Sequence, residues 1–255
     1  MRYYIIGHIA ILNVSEDPKK DAEEILRRHR NVKTVLLKVG ELSGEFRVGR
    51  YVLIAGEPIT ETIHVEHGLR FLVDPTKAYF NPALESERSR IVRLIPDGSC
   101  VLDMFAGVGT LAVRIAAEKS VTIYAVEKNP YAYKYLLRNI ELNRKRLKGK
   151  IIAVHDDASR FAYRLRDSCD HIIMDLPRFS REFLPDAAAA IKDGGVIHYY
   201  RIVERLKTEA PRIELLQVFP DIEILEERRI RGVSPSKVLM RISARVLIFK
   251  RSKSS

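Results

Sequence analysis

Four short segments hold side chains whose types and spacing suit a nucleoside ligand and proton chemistry on a base. The first, Asp103-Met104-Phe105-Ala106-Gly107-Val108-Gly109, follows the apolar run Cys100-Val101-Leu102. Paired glycines at such a point let backbone approach a ligand and aim free N–H groups at it. The second is Val121 to Glu127, whose terminal acid follows Gly109 by eighteen residues, where a carboxylate can accept both hydroxyls of a ribose. A third apolar run ends in Asp156-Asp157, and one of these carboxylates can accept the exocyclic amine of an adenine. The fourth, Asp170 to Met174, delivers Asp175-Leu176-Pro177-Arg178, an acid held by a proline turn where a substrate nitrogen would lie.

Each acid taken alone has a plainer role. Asp157 and Asn129 are well suited to cap the helices that follow them, and Asp175 could cap the next one. Acids in series at successive strand ends, Asp103, Glu127 and Asp157, favour the ligand. A dinucleotide would want a third glycine where this chain has Ala112, so a nicotinamide cofactor fits poorly. His198-Tyr199-Tyr200 after the fifth run either lines the same pocket or packs, and His171 reads as core.

The elements that must position these residues alternate. Strands are expected near 100–104, 122–126, 151–155, 171–174 and 194–199, with helices starting near Gly109, Pro130, Ala158 and Phe183, which calls for a parallel sheet. Ile213–Leu225 and Val238–Phe249 read as an antiparallel edge hairpin around Gly232 and Pro235. Upstream, Tyr3–Val14, Val32–Val39, Tyr51–Ala55 and Ile63–Val65 are strand-like, and Pro18–His29 is helical. Gly40, Gly44, Gly49, Gly56 and Gly68 punctuate them. After Asn81-Pro82, the spacing of Leu84, Ile91, Val92 and Ile95 predicts a bridging helix. The expected division is a small α+β domain over 1–80, the bridging helix over 81–97, the main α/β domain over 98–250 and a disordered basic tail over 251–255.

The chain has 255 residues and a formal charge of +11. Residues 128–150 hold eight basic residues against one acid, and residues 226–255 nine against two. One-signed stretches favour contact with a polyanion over a mixed solvated face, although an ion-pair-rich surface in a heat-adapted protein would raise the same charge count. Lys134, Arg138, Arg144, Lys145 and Arg146 are the candidate phosphate contacts, joined by Arg88, Arg178 and Tyr199 as candidate contacts to the same polyanion. Cys100 and Cys169 lack metal-ligand spacing and read as structural thiols, so no metal is expected. No long apolar run or signal peptide is present in the sequence, which predicts a cytoplasmic protein with no membrane partner, read as a monomer.

The segments Phe105-Ala106-Gly107-Val108-Gly109, Ile123 to Pro130, Met174-Asp175-Leu176-Pro177 and Gly194 to Tyr200 resemble the archaeal and eukaryotic tRNA guanosine-37 N1-methyltransferase family, with its relatives the aminocarboxypropyl transferases of wybutosine synthesis. Ile6 to Ala10, Gly44-Glu45-Phe46-Arg47 and Tyr79-Phe80-Asn81-Pro82 resemble that family's middle domain. The resemblance covers nearly the whole chain. It implies a Rossmann-like class I methyltransferase fold, α/β with a mainly parallel seven-stranded sheet and terminal antiparallel hairpin, preceded by the small α+β domain. It implies S-adenosylmethionine as cofactor, held by Asp103, Phe105, Ala106, Gly107, Gly109, Glu127, Lys128, Asn129, Asp156, Asp157, Ala158 and Asp175. Asp175, Pro177 and Glu127 would be catalytic, and tRNA the partner. Family methyltransferases usually carry an N-terminal domain that grips the tRNA elbow, whereas this sequence begins at the middle domain.

Two departures bear on chemistry. The methyltransferases usually read Asn-Leu-Pro where this chain has Asp175-Leu176-Pro177, and Pro-Arg-Leu where it has Pro82-Ala83-Leu84. The expected activity is N1-methylation of guanosine 37. A changed target base and aminocarboxypropyl transfer are the alternatives, and the latter relatives typically lack an acid or amide at the proline turn.

Overall fold

In the computed structural model, which describes residues 1–40 and 49–247, the chain falls into two compact units. Gly44 to Arg47 and the basic tail lie outside the described residues. The first unit takes residues 1–89, 107–114 and 129–146, and the second takes residues 90–106, 115–128 and 147 onward.

Four strands open the first unit: β1 (Arg2–Ile6), β2 (Ile9–Val14), β3 (Thr34–Lys38) and β4 (Tyr51–Gly56), in spatial order β1-β2-β3-β4. Only β2 and β3 run parallel, and the helix α1 (Pro18–Arg28) makes the crossover between them. Its start is set locally: the Asp17 carboxylate accepts Lys20 N–H at 3.2 Å, and Pro18 fits the first turn because no helical partner waits for its missing N–H. Ala22 and Ile25 then bury against Ala10, Leu12 and Val35. A hairpin follows, β5 (Thr62–Glu66) and β6 (Leu69–Val73), turned at His67 and Gly68, both with positive φ. The sequence pattern located β5 but not β6.

Residues 82–84 form a 3-10 turn capped by Asn81, whose side-chain oxygen accepts Ala83 N–H at 3.1 Å, and α2 (Glu85–Leu94) continues from it. Here one expectation fails. Arg88, assigned to RNA, is 11% exposed in its side chain and forks onto the buried Glu66 carboxylate at 3.0 and 2.5 Å. That carboxylate would be a buried charge without it, so the guanidinium is committed to the interior.

The second unit is built on seven strands: β7 (Cys100–Asp103), β8 (Thr122–Glu127), β9 (Lys150–His155), β10 (Cys169–Met174), β11 (Ile191–Glu204), β12 (Ile222–Gly232) and β13 (Lys237–Val246). Their order is β12-β13-β11-β10-β7-β8-β9; β7 to β11 pair parallel and the last two antiparallel. This is the α/β class I layout that the sequence predicted. From β7 the chain winds outward through β8 and β9, then returns to β10 on the other side, so a crevice opens at the carboxyl ends of β7 and β10. The connecting helices are α3 (Thr110–Glu118), α4 (Pro130–Asn143), α5 (Ala158–Ala162) and α6 (Leu184–Ala190). Leu102, Ile172, Met174, Ile197, Tyr199 and Ile242 form the buried centre of the sheet with Phe161, Leu184 and Leu215 over one face. Ile213 to Val218 is helical, part of α7 (Ala210–Val218), where the sequence reading had strand; Pro211 in its first turn and the buried Leu215 mark a helix that β12 only follows.

Within the first unit, Asn139 on α4 replaces backbone pairing for β6. Its amide oxygen accepts Leu72 N–H at 2.7 Å, and its nitrogen donates to Leu72 O at 3.1 Å and Val108 O at 2.9 Å. Because the residue is fully buried, Asn139→Leu strands three backbone groups, and thermal or urea unfolding should show a loss of about 2–4 kcal/mol.

Candidate active site

Asp103, Glu127 and Asp175 stand at or just past the ends of β7, β8 and β10, which are neighbours in the sheet. Ladder pairing sets their level: Asp103 is opposite Ala125 on β8 and Ile173 on β10. The chain past β7 is tied to both neighbours, Met104 N–H donating to Ile173 O at 3.1 Å and Ala106 N–H to Val126 O at 2.9 Å. Phe105, half-buried, meets Phe183 edge to face with centroids 5.0 Å apart. Gly107 and Gly109 then adopt φ of +56° and +82°, which side chains rarely tolerate. A Cβ on Gly109 would sit 2.4 Å from Leu136 Cδ1, so this glycine is also required by packing, whereas a Cβ on Gly107 would meet open space.

The electrostatics of this end are unbalanced. Asp103 is 2% exposed, and burial pushes its carboxyl up to about 7, opposed by a hydrogen bond from Phe105 N–H and reinforced by the charges of Asp175 and Glu127. Such a cluster is relieved by a cation or by a proton. Asp157 behaves differently: its carboxyl is held below the usual range because Lys128 and Ser159 outweigh its burial. Lys128 Nζ lies 2.9 Å from it, and Ser159 N–H and O–H donate at 3.0 and 2.8 Å. Asp157 therefore does cap α5, as the plainer reading had it, and keeps a charged partner besides. Asp156 accepts Asp157 N–H at 2.8 Å and lies 3.5 Å from Arg164. Ala158 is buried beneath this turn. Asn129 spends its side chain on the start of α4, accepting Tyr131 N–H at 2.9 Å and donating to Lys77 O at 3.0 Å. It is 4% exposed, which takes its amide out of the cofactor set.

The turn Asp175-Leu176-Pro177-Arg178 is fixed from behind. Ser180, fully buried, donates to Met174 O at 2.8 Å and accepts Leu176 N–H at 3.3 Å. Pro177 O accepts Ile202 N–H at 2.9 Å. Arg201 Nη1 donates to Pro177 O and to Arg178 O, each at 3.2 Å, while its Nε and Nη2 fork onto Glu214 at 2.8 and 3.0 Å. Tyr199 Oη completes the set, donating to Glu214 at 2.6 Å. Tyr199 was assigned to the RNA side; it is fully buried and belongs to this support. His198 likewise is core, bonded to His171 at 3.1 Å and Ser243 at 2.8 Å. Neither Arg201 nor Glu214 was anticipated. Glu214 sits in the stretch misread as strand; a helical reading would have put it on the same face as Leu215 and pointed to a buried acid in need of a partner.

Comparison with known proteins decides the family. The model described as the TRM5/TYW2 methyltransferase domain matches residues 62–223, and the one described as the TYW2 N-terminal domain matches residues 1–60. The chain belongs to the TRM5/TYW2 family. The tRNA (guanine(37)-N(1))-methyltransferase Trm5b of Pyrococcus abyssi is 38% identical over 95% of this chain and 74% of its own length. The tRNA(Phe) (4-demethylwyosine(37)-C(7)) aminocarboxypropyltransferase of Pyrococcus horikoshii is 34% identical over 92% and 85%. Among solved structures, the complex of aTrm5 and tRNALeu superposes with a TM-score of 0.84 at 34% identity, covering 96% of this chain and 72% of that one. Of the remaining RNA-side candidates, Arg138, Arg144, Lys145, Arg146 and Arg178 are exposed. Arg144 pairs with Glu141 at 3.3 Å, and Arg146 donates to Gly68 O. Among the described residues no cluster of His, Cys, Asp or Glu is arranged to hold a metal ion, and no helix is long and apolar enough to cross a membrane.

Two outcomes follow from these interactions. Asp103 binds its proton more tightly folded than unfolded, so its contribution to stability is complete below about pH 4 and is lost as pH rises through about 7. Asp103→Asn removes that dependence: in thermal melts its Tm relative to the parent should climb between about pH 5 and pH 8, whereas a constant offset would exclude the assignment. Arg201→Met leaves Glu214 charged and buried, and should cost about 3–5 kcal/mol in chemical unfolding.

Proposed function

We propose that the protein is an S-adenosylmethionine-dependent tRNA methyltransferase that methylates N1 of guanosine 37, beside the anticodon, in the cytoplasm. The observation that carries the reading is Asp175, a carboxylate on a clamped proline turn at the end of β10, beside the buried Asp103. The residues fit the cofactor on their own chemistry. A cluster of acids that repel one another suits a sulfonium. Glu127 would accept the ribose hydroxyls, Asp157 the adenine amine, and Phe105 would cover the ring. When bound, S-adenosylmethionine supplies an electrophilic methyl group.

The protein's part is orientation and proton transfer. Guanine offers N1–H and its exocyclic amine side by side, and the Asp175 carboxylate accepts the two as a fork. During methyl transfer to N1, the Asp175 carboxylate would take up the N1 proton. Pro177 and the Arg201 clamp hold the carboxylate in place for that moment. Arg138, Arg144, Lys145, Arg146 and Arg178 are the proposed phosphate contacts, and the monomer is the proposed working form.

A second reading, aminocarboxypropyl transfer to a modified guanine, is favoured by the TYW2-type match over residues 1–60. The products separate the two. With unmodified tRNA transcript and labelled cofactor, S-adenosylhomocysteine and 1-methylguanosine are expected, while methylthioadenosine would establish the second reading. Asp175→Asn should lower kcat by about 10²–10⁴, measured at saturating cofactor and tRNA. Full methylation by Asp175→Asn would exclude the proton-accepting role.

A further inference from the structure

The same end of the second unit carries a charged surface that the reaction does not use. Between Arg228 and Lys237 there are four basic residues and no acid. This stretch is the end of β12 and the turn into β13. Arg229, Arg231 and Lys237 are exposed and make no ion pair among the described residues. The acids just before them are partly engaged: Glu226 is held by Arg90 and Arg241 at 2.5 Å each, while Glu227 is exposed.

Strand register places this tip at the level of the catalytic turn. Met240 on β13 is opposite Arg229 on one side and Arg201 on the other; Leu239 is likewise opposite Arg231 and Ile202. Arg201 and Ile202 both hydrogen-bond to Pro177 O. Two strand spacings, roughly 10 Å, therefore separate Arg229 from the residue that holds the turn. The loop after β11 is tied to the same tip: Arg205 N–H donates to Ser236 O and Arg205 Nε to Pro235 O, each at 2.9 Å. That pinned loop presents Leu206, which is 94% exposed and is followed by Lys207, paired with Glu204 at 3.1 Å.

We infer that the β12–β13 tip and the loop at Leu206 form a docking surface for the single-stranded RNA that adjoins the target nucleotide. Arg229, Arg231 and Lys237 meet successive phosphates, and Leu206 lies against the face of an unstacked base. The inference rests on the tRNA reading and says where the strand runs on this chain. A protein partner is the poorer fit, because one projecting leucine among cations lacks the apolar centre that protein interfaces bury. An RNA strand needs what is present, unpaired cations at phosphate reach and an apolar wedge for one base.

The experiment uses the full chain, an unmodified tRNA transcript and the matching anticodon stem-loop RNA, with binding measured across a potassium chloride series. The triple variant Arg229→Ala/Arg231→Ala/Lys237→Ala should bind both RNAs at least about tenfold more weakly near 0.1 M salt and lower the slope of log K against log salt by about 2–3. Its Tm and its calorimetric cofactor affinity should match the parent's, because all three side chains are exposed and unpaired. Leu206→Ser should keep the salt slope and raise KM for the stem-loop severalfold. A triple variant with the parent's affinity and slope would overturn the inference while the parent methylates tRNA normally. Failure of the parent itself to bind or methylate tRNA would instead refute the functional reading on which it rests.

Discussion

Carboxylates gathered at the ends of parallel strands are the constraint around which the rest of the second unit is arranged. Asp103 is buried where water cannot screen it, with Asp175 and Glu127 close enough to raise its pKa further. An isolated fold would gain by replacing it with a neutral residue. Its retention makes sense if the site is built for a positive charge that arrives with a ligand. The remainder of the unit then has to hold acids where they repel one another, a task that falls to backbone bonds between strand ends.

The support for Asp175 differs in kind from that for Asp103. Asp103 is the last residue of a central strand and is positioned by the ladder itself. Asp175 lies past the end of β10, on irregular backbone, and its turn is held by side chains from β11 and α7. The fork between Arg201 and Glu214 neutralises both charges inside the protein and leaves one guanidinium nitrogen for the turn carbonyls. The Asp175 carboxylate thus rests on a lattice of charge-assisted bonds.

The sheet was legible because the parallel strands are apolar runs ending in acids or glycines. The same strand ends bring forward Asp103, Glu127, Asp157 and Asp175 as the candidate site residues. What the pattern could not show were long-range pairings. Arg88 looks like any basic residue on a helix until Glu66 is seen beside it, and Tyr199 like a pocket aromatic until Glu214 is. β6 escaped because Arg70 interrupts a five-residue strand whose pairing is completed by Asn139 and Asn143 from α4, partners far away in the chain. α7 was misread because its exposed Ile213 and Leu216 blur the helical stripe.

The outer strand β12 is the open edge of a seven-stranded sheet, and such an edge ordinarily invites another chain to extend the ladder. Here its register slips twice, between Ile224 and Glu226 and again between Arg229 and Arg231, and charged side chains alternate along much of its length. A second strand would find no unbroken row of donors and acceptors. The irregularity of this strand therefore also guards a protein with a large β-sheet against edge-to-edge aggregation, which a straighter and more apolar β12 would invite at high concentration.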